Sequence, residues 1–149
     1  MRPLHPLKIF TFFTLSTVAT HMGYSEEENE VKAISFYKDI RPIFQANCQG
    51  CHQPSKAKGK YIMTDFEKLV NGGDSGDPAI VPGDLEKSYL VEVITPIDGE
   101  AEMPQKADPL HETEIALINK WVSEGAIDDT PEGAKQKFTA ENPPEYIQP

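Results

Sequence analysis

The stretch Cys48-Gln49-Gly50-Cys51-His52 decides how this chain is interpreted, because it reads Cys-x-x-Cys-His, the attachment pattern of a c-type haem. Residues three apart on a helix share a face, so the sulfurs of Cys48 and Cys51 can both reach the vinyl groups of one porphyrin. The imidazole of His52 can then bind the iron from the same side. The motif predicts one covalently bound haem c with His52 as the proximal iron ligand.

Three other uses of a cysteine pair fit the sequence less well. A thioredoxin-type pair opens a helix within a βαβ pattern, and no such alternation surrounds Cys48. A structural zinc site needs a full set of cysteine and histidine ligands, whereas the chain has two cysteines and only His111 to join His52 beyond the leader. A disulfide between cysteines this close in sequence closes a very small loop and stabilises little.

The N-terminal residues have the order of a secretory signal peptide. They carry Arg2 and Lys8 and no acid, and a mostly apolar run over residues 9–20 follows. That run is shorter and more polar than the roughly 20 apolar residues of a membrane span. We therefore predict an exported protein of the periplasm or another extracytoplasmic space, with a signal peptide over residues 1–25 and an acidic linker over 26–32. An uncleaved anchor is the alternative.

The charge balance bears on the partners of the protein. The chain has 14 basic and 24 acidic residues, a formal net charge of −10, and removal of Arg2 and Lys8 with the leader makes it more acidic. Such a field disfavours nucleic acid and anionic membranes and favours a basic redox partner. The alternative explanation of the negative charge is that it keeps an exported protein soluble. No stable membrane insertion is expected after cleavage.

The helix signals predict an all-α domain over residues 33–129, wrapped around the haem. A first helix begins near Asp39, has Pro42 in its first turn and leads into Cys48. The clearest helix spans residues 111–124. Its apolar stripe consists of Ile115, Ile118, Trp121 and Val122.

The segments around these two helices also carry secondary-structure signals. Residues 33–38 are β-branched and aromatic enough to be extended. A short helix is expected after the capping residue Asp65, and another from Asp84. Phe44 from the first helix and Trp121 from the last are the expected packing pair in the core.

The sixth position of the iron has several candidate occupants. Beyond the leader, the thioethers belong to Met63 and Met103. The imidazoles there belong to His52 and His111. Met63 stands next to a helix start and is typical of packing. Met103 lies in a polar loop that can place sulfur against the open face of the iron. We expect Met103 as the distal ligand, with His111 or an open site as the alternatives.

The segment over residues 34–129 resembles the planctomycete-type c cytochrome domain, a relative of the class I cytochromes c. The residues that carry the resemblance are Phe36-Tyr37-Lys38-Asp39-Ile40-Arg41-Pro42-Ile43, Cys48-Gln49-Gly50-Cys51-His52, Ile80-Val81-Pro82-Gly83-Asp84, Ser88, Met103-Pro104 and Trp121-Val122-Ser123-Glu124-Gly125-Ala126. The resemblance implies one low-spin haem c with His52 proximal and Met103 distal, and a helical fold whose first and last helices cross. Tyr61 and Met63 stand where the family usually shows a leucine-rich segment.

Two supporting roles are also predicted. Arg41 is the only arginine beyond the leader, and an arginine near a haem commonly pairs with a propionate. A surface arginine is the equal alternative. The second ring nitrogen of His52 should donate to a backbone carbonyl, for which the loop at residues 80–82 is the candidate.

The C-terminal residues 130–149 are polar and rich in proline, which predicts an extended or disordered tail. The tail resembles the connector that runs into a WD40-type propeller in longer family members. A fragment of a longer protein, a partner-binding segment and a floppy terminus are all consistent with it.

The predicted function follows from the iron ligands. With His52 and Met103 both bound, no position is free for a substrate, which describes an electron carrier without catalysis of its own. The alternatives are a haem enzyme or a gas or peroxide sensor with an open distal site, and the haem docking module of a larger, propeller-containing protein. No distal pair of histidine and arginine for a peroxidase is evident.

Overall fold

The computed structural model describes residues 33–145. Within them lie the helices α1 (Arg41–Asn47), α2 (Phe66–Asn71), α3 (Tyr89–Ile94) and α4 (Glu112–Ser123). The remaining elements are the strands β1 (His52–Gln53) and β2 (Lys56–Ala57), a π-helical turn (Phe36–Ile40) and two 3₁₀ turns (Lys58–Lys60 and Glu132–Ala134). The predicted signal peptide and acidic linker lie outside the described residues, as do residues 146–149. In the described part of the chain, no helix combines the length and apolar character that crossing a bilayer requires.

The predicted all-α fold is wrong, because an antiparallel sheet of two strands accompanies the four helices of the described residues. β1 pairs with β2, with His52 opposite Ala57. Strands of two residues are too short to leave an alternating pattern in the sequence. The hairpin is also fixed by a tertiary bond, in which the His52 carbonyl accepts from the Met63 N–H at 2.9 Å.

The start of the domain is helical where an extended segment was expected. Residues 33–38 run into the π-helical turn at Phe36–Ile40, because Ser35 caps it. The backbone N–H of Ser35 donates to Asp39 Oδ2 at 2.9 Å, which closes the turn. α1 then begins as predicted, with Pro42 in its first turn, where the missing N–H would have no helical partner.

The two middle helices are short. α2 begins where predicted, since the Asp65 carboxylate accepts a hydrogen bond from a backbone N–H of the first turn at 3.1 Å. It ends at Gly72, whose φ of +94° suits glycine. α3 starts at Tyr89 rather than at Asp84. The residues between Asp84 and Tyr89 form a turn, which the buried Ser88 hydroxyl closes by donating to the Asp84 carbonyl at 2.6 Å.

The last helix has the predicted boundaries and a reciprocal cap. His111 Nδ1 accepts from the Thr113 N–H at 3.3 Å, and Glu114 Oε2 accepts from the His111 N–H at 3.0 Å. The buried residues of α4 are Ile118, Trp121 and Val122. The predicted apolar stripe therefore faces the core.

The core centres on the Trp121 ring, which is 1% exposed. Its ring centroid lies 5.3, 6.4 and 6.2 Å from those of Phe36, Phe44 and Phe66. The indole Nε1–H donates to the Ile127 carbonyl at 3.0 Å, so the polar edge of the ring is satisfied. The predicted packing of Phe44 against Trp121 is confirmed, and it joins α1 to α4.

The segment after α4 is tied back to the start of the domain. The Tyr37 N–H donates to Asp129 Oδ1 at 2.8 Å. From residue 130 to 145 the chain is irregular apart from the 3₁₀ turn Glu132–Ala134 and a turn in which the Thr139 N–H donates to the Asn142 carbonyl at 3.1 Å.

The role of Trp121 gives a test of the core. We expect Trp121→Ala to lower the free energy of unfolding by about 3–5 kcal/mol, because it removes a fully buried ring. Trp121→Phe keeps a ring but leaves the Ile127 carbonyl without its donor, so a smaller loss of about 1–2 kcal/mol is expected. Ile97→Ala, at a side chain 77% exposed, should stay within about 0.5 kcal/mol. Urea denaturation measures all three, and equal losses in both Trp121 variants would contradict the packing argument.

Candidate functional site

One cavity of about 290 Å³ brings together residues that the sequence analysis singled out. His52, Met63 and Met103 all line it, although they come from different parts of the chain. The other lining residues are Lys58, Gly59, Tyr61, Gly72, Gly73, Asp74, Ser75, Ala79, Tyr89, Leu90 and Val93. The volume lies near the lower end of the range of roughly 300–1,000 Å³ that is typical of ligand pockets.

The cysteine motif lies in a turn that continues the C-terminal end of α1, as predicted. The N–H groups of Cys51 and His52 donate to the Cys48 carbonyl at 3.0 and 3.1 Å. Both thiols are free, and they lie in the turn before His52 rather than in the cavity wall. Burial, and then the negative charge of Glu114, raises the pKa of Cys48 to about 12. The Cys48 thiol therefore stays protonated near neutral pH, unlike the attacking cysteine of a thioredoxin-type pair.

The His52 imidazole is oriented by one backbone carbonyl. Its Nδ1 lies 3.1 Å from the Lys58 carbonyl oxygen. When Nδ1 donates to that oxygen, the lone pair of Nε2 is left for a metal. The carbonyl comes from the hairpin side of the site and not from residues 80–82, where the sequence analysis placed it.

The protonation state of His52 also suits a metal ligand. Burial lowers the pKa of His52 below its ordinary value, and the positive charge of Lys58 acts in the same direction. Hydrogen bonds to the backbone of Lys58 and Tyr61 oppose the shift without reversing it. The ring is therefore neutral around pH 7, as metal ligation requires.

Tyr61 is a site residue that the sequence analysis missed. Its ring centroid lies 5.3 Å from that of His52. Its hydroxyl donates to the Leu69 carbonyl at 2.8 Å, and burial raises the pKa of Tyr61. Tyr61 thus forms a fixed aromatic wall beside the imidazole. The only sequence signal was a tyrosine at a position where the family usually shows a leucine-rich segment.

The two methionines of the cavity have different attachments. The Met63 N–H bonds to the His52 carbonyl, its own carbonyl accepts from Gln49 Nε2 at 2.9 Å, and its side chain is 2% exposed. Met63 is therefore bonded to the segment of the chain that carries His52. The Met103 N–H instead donates to the Val93 carbonyl of α3 at 2.9 Å. Met103 therefore reaches the cavity from a segment separate from that of His52 and Met63.

Two other candidates lie elsewhere. The Arg41 guanidinium sits 5.3 Å from the centroid of the Tyr37 ring, a cation–π geometry, and lines a second cavity that His52 does not share. His111 is the exposed N-cap of α4. The structure does not bring either side chain into the cavity lined by His52 and Met103.

Part of the chain matches a known protein family. Residues 48–106 match the family model described as Planctomycete cytochrome C. This part of the chain is therefore similar to the planctomycete-type cytochromes c. The matched residues include Cys48, His52 and Met103, so the resemblance seen in the sequence is confirmed. Neither the curated proteins nor the solved structures contain a match to the chain.

The match to this family has two general implications. Cytochrome c domains bind haem, generally as covalent haem c, and they are typically extracytoplasmic. The chemistry of the cavity wall suits such a cofactor, because it combines apolar side chains such as Leu90 and Val93 with an imidazole and a thioether, and the two cysteines lie in the adjoining turn. Within residues 33–145, no group of three or more His, Cys, Asp or Glu side chains is placed to hold a metal ion by itself. A zinc site built on Cys48 and Cys51 therefore has no further ligands in this part of the chain.

The cavity wall also contains a close approach of two loops, which can be tested. The Asp74 N–H donates to the Gly59 carbonyl at 2.8 Å. A Cβ on Gly73 would overlap that carbonyl oxygen and lie 3.0 Å from Tyr61 Cβ. We expect Gly73→Ala to lower the free energy of unfolding by about 1–3 kcal/mol, measured by urea denaturation.

Gly133→Ala is the matched control for this substitution, because a Cβ on Gly133 meets no atom within 4 Å. It should change the free energy of unfolding by less than about 0.5 kcal/mol. If the two glycine variants unfold with the same free energy, the two loops are not in the tight contact described.

Proposed function

We propose that this chain is an exported monohaem c-type cytochrome that carries electrons and has no substrate chemistry of its own. The observation that carries the proposal is that His52 and Met103 line one cavity from separately anchored segments. Haem c, when bound, supplies an iron centre that gains and loses one electron. Export is supported by the leader-like residues 1–25 and by the usual location of cytochrome c domains.

Each motif residue has a distinct task in this proposal. The Cys48 and Cys51 sulfurs tether the porphyrin through thioether bonds. His52 presents Nε2 as the proximal ligand while the Lys58 carbonyl holds its ring. Met103 contributes its thioether as the distal ligand, and an axial methionine raises the potential relative to a second histidine.

The surroundings of the two ligands favour a carrier over an enzyme. The Lys58 carbonyl orients the His52 ring, and the bond to Val93 fixes the backbone of Met103, so the two residues would hold a haem with little backbone rearrangement. The cavity wall contains no histidine besides His52 and no arginine among the described residues. These wall residues therefore do not form the pair of distal histidine and arginine expected of a peroxidase. The acidic charge of the chain supports a basic redox partner.

Covalent attachment gives the first test. The chain, produced with its leader in a host that attaches haem c, should keep its colour after acid–acetone extraction and gain the mass of one haem. Cys48→Ala combined with Cys51→Ala should lose the haem on extraction, because no thioether remains. Mass spectrometry measures both. A wild-type chain without covalent haem, or with a Cys48–Cys51 disulfide, would refute the proposal.

The distal ligand is tested by absorption spectroscopy and redox titration. The oxidised protein should show the weak far-red band of a sulfur–iron bond, and Met103→Ala should abolish it. The same variant should bind carbon monoxide when reduced. Its potential should fall on the order of 0.1 V, a fraction of the roughly 0.8 V that axial ligands span.

Met63→Leu is the matched control for Met103→Ala, because it replaces the other thioether of the cavity with a side chain of similar volume. It should keep the far-red band. Loss of the band in Met63→Leu alone would make Met63 the ligand. Rapid binding of carbon monoxide by the wild-type reduced protein would contradict the carrier function.

A further inference from the structure

Tyr61 is connected to His52 in two ways, through its ring and through its backbone. The two ring centroids lie 5.3 Å apart, with 60° between the ring planes. The Tyr61 N–H donates at 3.2 Å to the Lys58 carbonyl, the same oxygen that lies 3.1 Å from His52 Nδ1. A carbonyl oxygen has two lone pairs and can accept both bonds. The direction of the carbonyl that faces the imidazole is therefore tied to Tyr61.

The far end of the Tyr61 side chain is anchored in a different element, the helix α2. Its hydroxyl donates to the carbonyl of the buried Leu69 at 2.8 Å. Leu69 lies within the last four residues of α2, whose carbonyls have no N–H partner inside the helix. The phenol thus pairs a backbone acceptor that is costly to leave unpaired when buried, and this bond favours one position of the ring.

The base of the Tyr61 side chain is packed against the loop at Gly73. A Cβ added to Gly73 would come within 3.0 Å of Tyr61 Cβ and 3.1 Å of the Tyr61 backbone nitrogen. Packing this close leaves the Tyr61 backbone little freedom to shift. Tyr61 is therefore restrained at its backbone, at its Cβ and at its hydroxyl, while its ring contacts His52.

Tyr89 is a second tyrosine of the same cavity and differs in its relation to His52. Both tyrosines line the cavity and both are partly buried. Within residues 33–145, the aromatic pair that includes His52 is formed with Tyr61 and not with Tyr89. A comparison of the two positions therefore separates contact with the imidazole from the mere presence of a tyrosine in the cavity wall.

We infer that Tyr61 is a positioning residue for His52, which keeps the imidazole in one orientation and its Nδ1–H bonded to the Lys58 carbonyl. The inference rests on the proposed function and deepens it by assigning a task to a side chain outside the haem-attachment motif. The bond at Nδ1 fixes the tautomer and raises the basicity of Nε2 toward a metal. A residue that holds this bond closed therefore acts on the iron through His52.

The test measures solvent exchange of the His52 Nδ1–H by NMR on the reduced, haem-loaded protein. This proton exchanges when its bond to the Lys58 carbonyl opens. We expect Tyr61→Leu, which removes the ring and the hydroxyl, to speed the exchange about 3- to 10-fold, the effect of losing one ordinary hydrogen bond. Tyr61→Phe keeps the ring contact and loses only the bond to Leu69, so its exchange should be faster than that of the wild type and slower than that of Tyr61→Leu.

Tyr89→Leu and Tyr89→Phe are the matched controls, because they make the same changes in the same cavity. Both should keep the wild-type exchange rate of the His52 Nδ1–H. If Tyr61→Leu does not fold, Tyr61→Phe is compared with Tyr89→Phe, and equal exchange in these two variants overturns the inference.

The Trp121 Nε1–H serves as an internal reference in the same spectra, since it is a buried ring proton bonded to the Ile127 carbonyl. Its exchange should stay unchanged in the Tyr61 variants. Equal acceleration of the Trp121 and His52 ring protons would mean that the whole domain opens, which would overturn a positioning role and leave Tyr61 with a structural one.

The outcomes also separate this inference from the proposed function. Wild-type protein without covalent haem refutes the proposed function, and the inference with it. A haem-loaded wild type in which Tyr61→Leu leaves the exchange of the His52 Nδ1–H unchanged overturns the inference alone. Faster exchange confined to His52 and to the Tyr61 variants supports the positioning role.

Discussion

The burial of Trp121 is the interaction on which the rest of the domain depends. Its ring contacts Phe36 before α1, Phe44 within α1 and Phe66 at the start of α2, so one side chain joins segments that are far apart in the chain. α1 leads directly into Cys48. Close packing resists displacement, and the position of the cysteine turn is therefore set by a ring near the other end of the domain.

Two separate segments of the chain position His52 and Met103 and leave the centre of the cavity open. On one side Lys58, in the 3₁₀ turn after the hairpin, offers its carbonyl to His52, and Tyr61 lies beside the imidazole. On the other side α3 holds the backbone of Met103 through Val93. Because main-chain bonds anchor both residues, their positions do not depend on mobile surface side chains. This anchoring supports the proposed electron carrier.

Local signals predicted much of the fold and failed where the contacts are tertiary. The cap at Asp65, the boundaries of α4 and the role of His111 as its N-cap follow from side chains that bond to their own neighbours. The start of α3 was placed too early, because the buried Ser88 hydroxyl turns the chain before the helix. The hairpin at His52 was missed, since strands of two residues leave no periodic pattern.

The sequence by itself predicted the chemistry proposed for this protein, because a haem-attachment motif is a contiguous run of residues with a fixed spacing. It also limited the candidates for the predicted distal iron ligand to a few side chains. Only the tertiary structure decided which of these side chains share a cavity with His52. It also showed that Arg41 lines a different cavity. It likewise decided that the Lys58 carbonyl orients the imidazole. The fold brings these residues together, so no local pattern in the sequence predicts their contacts.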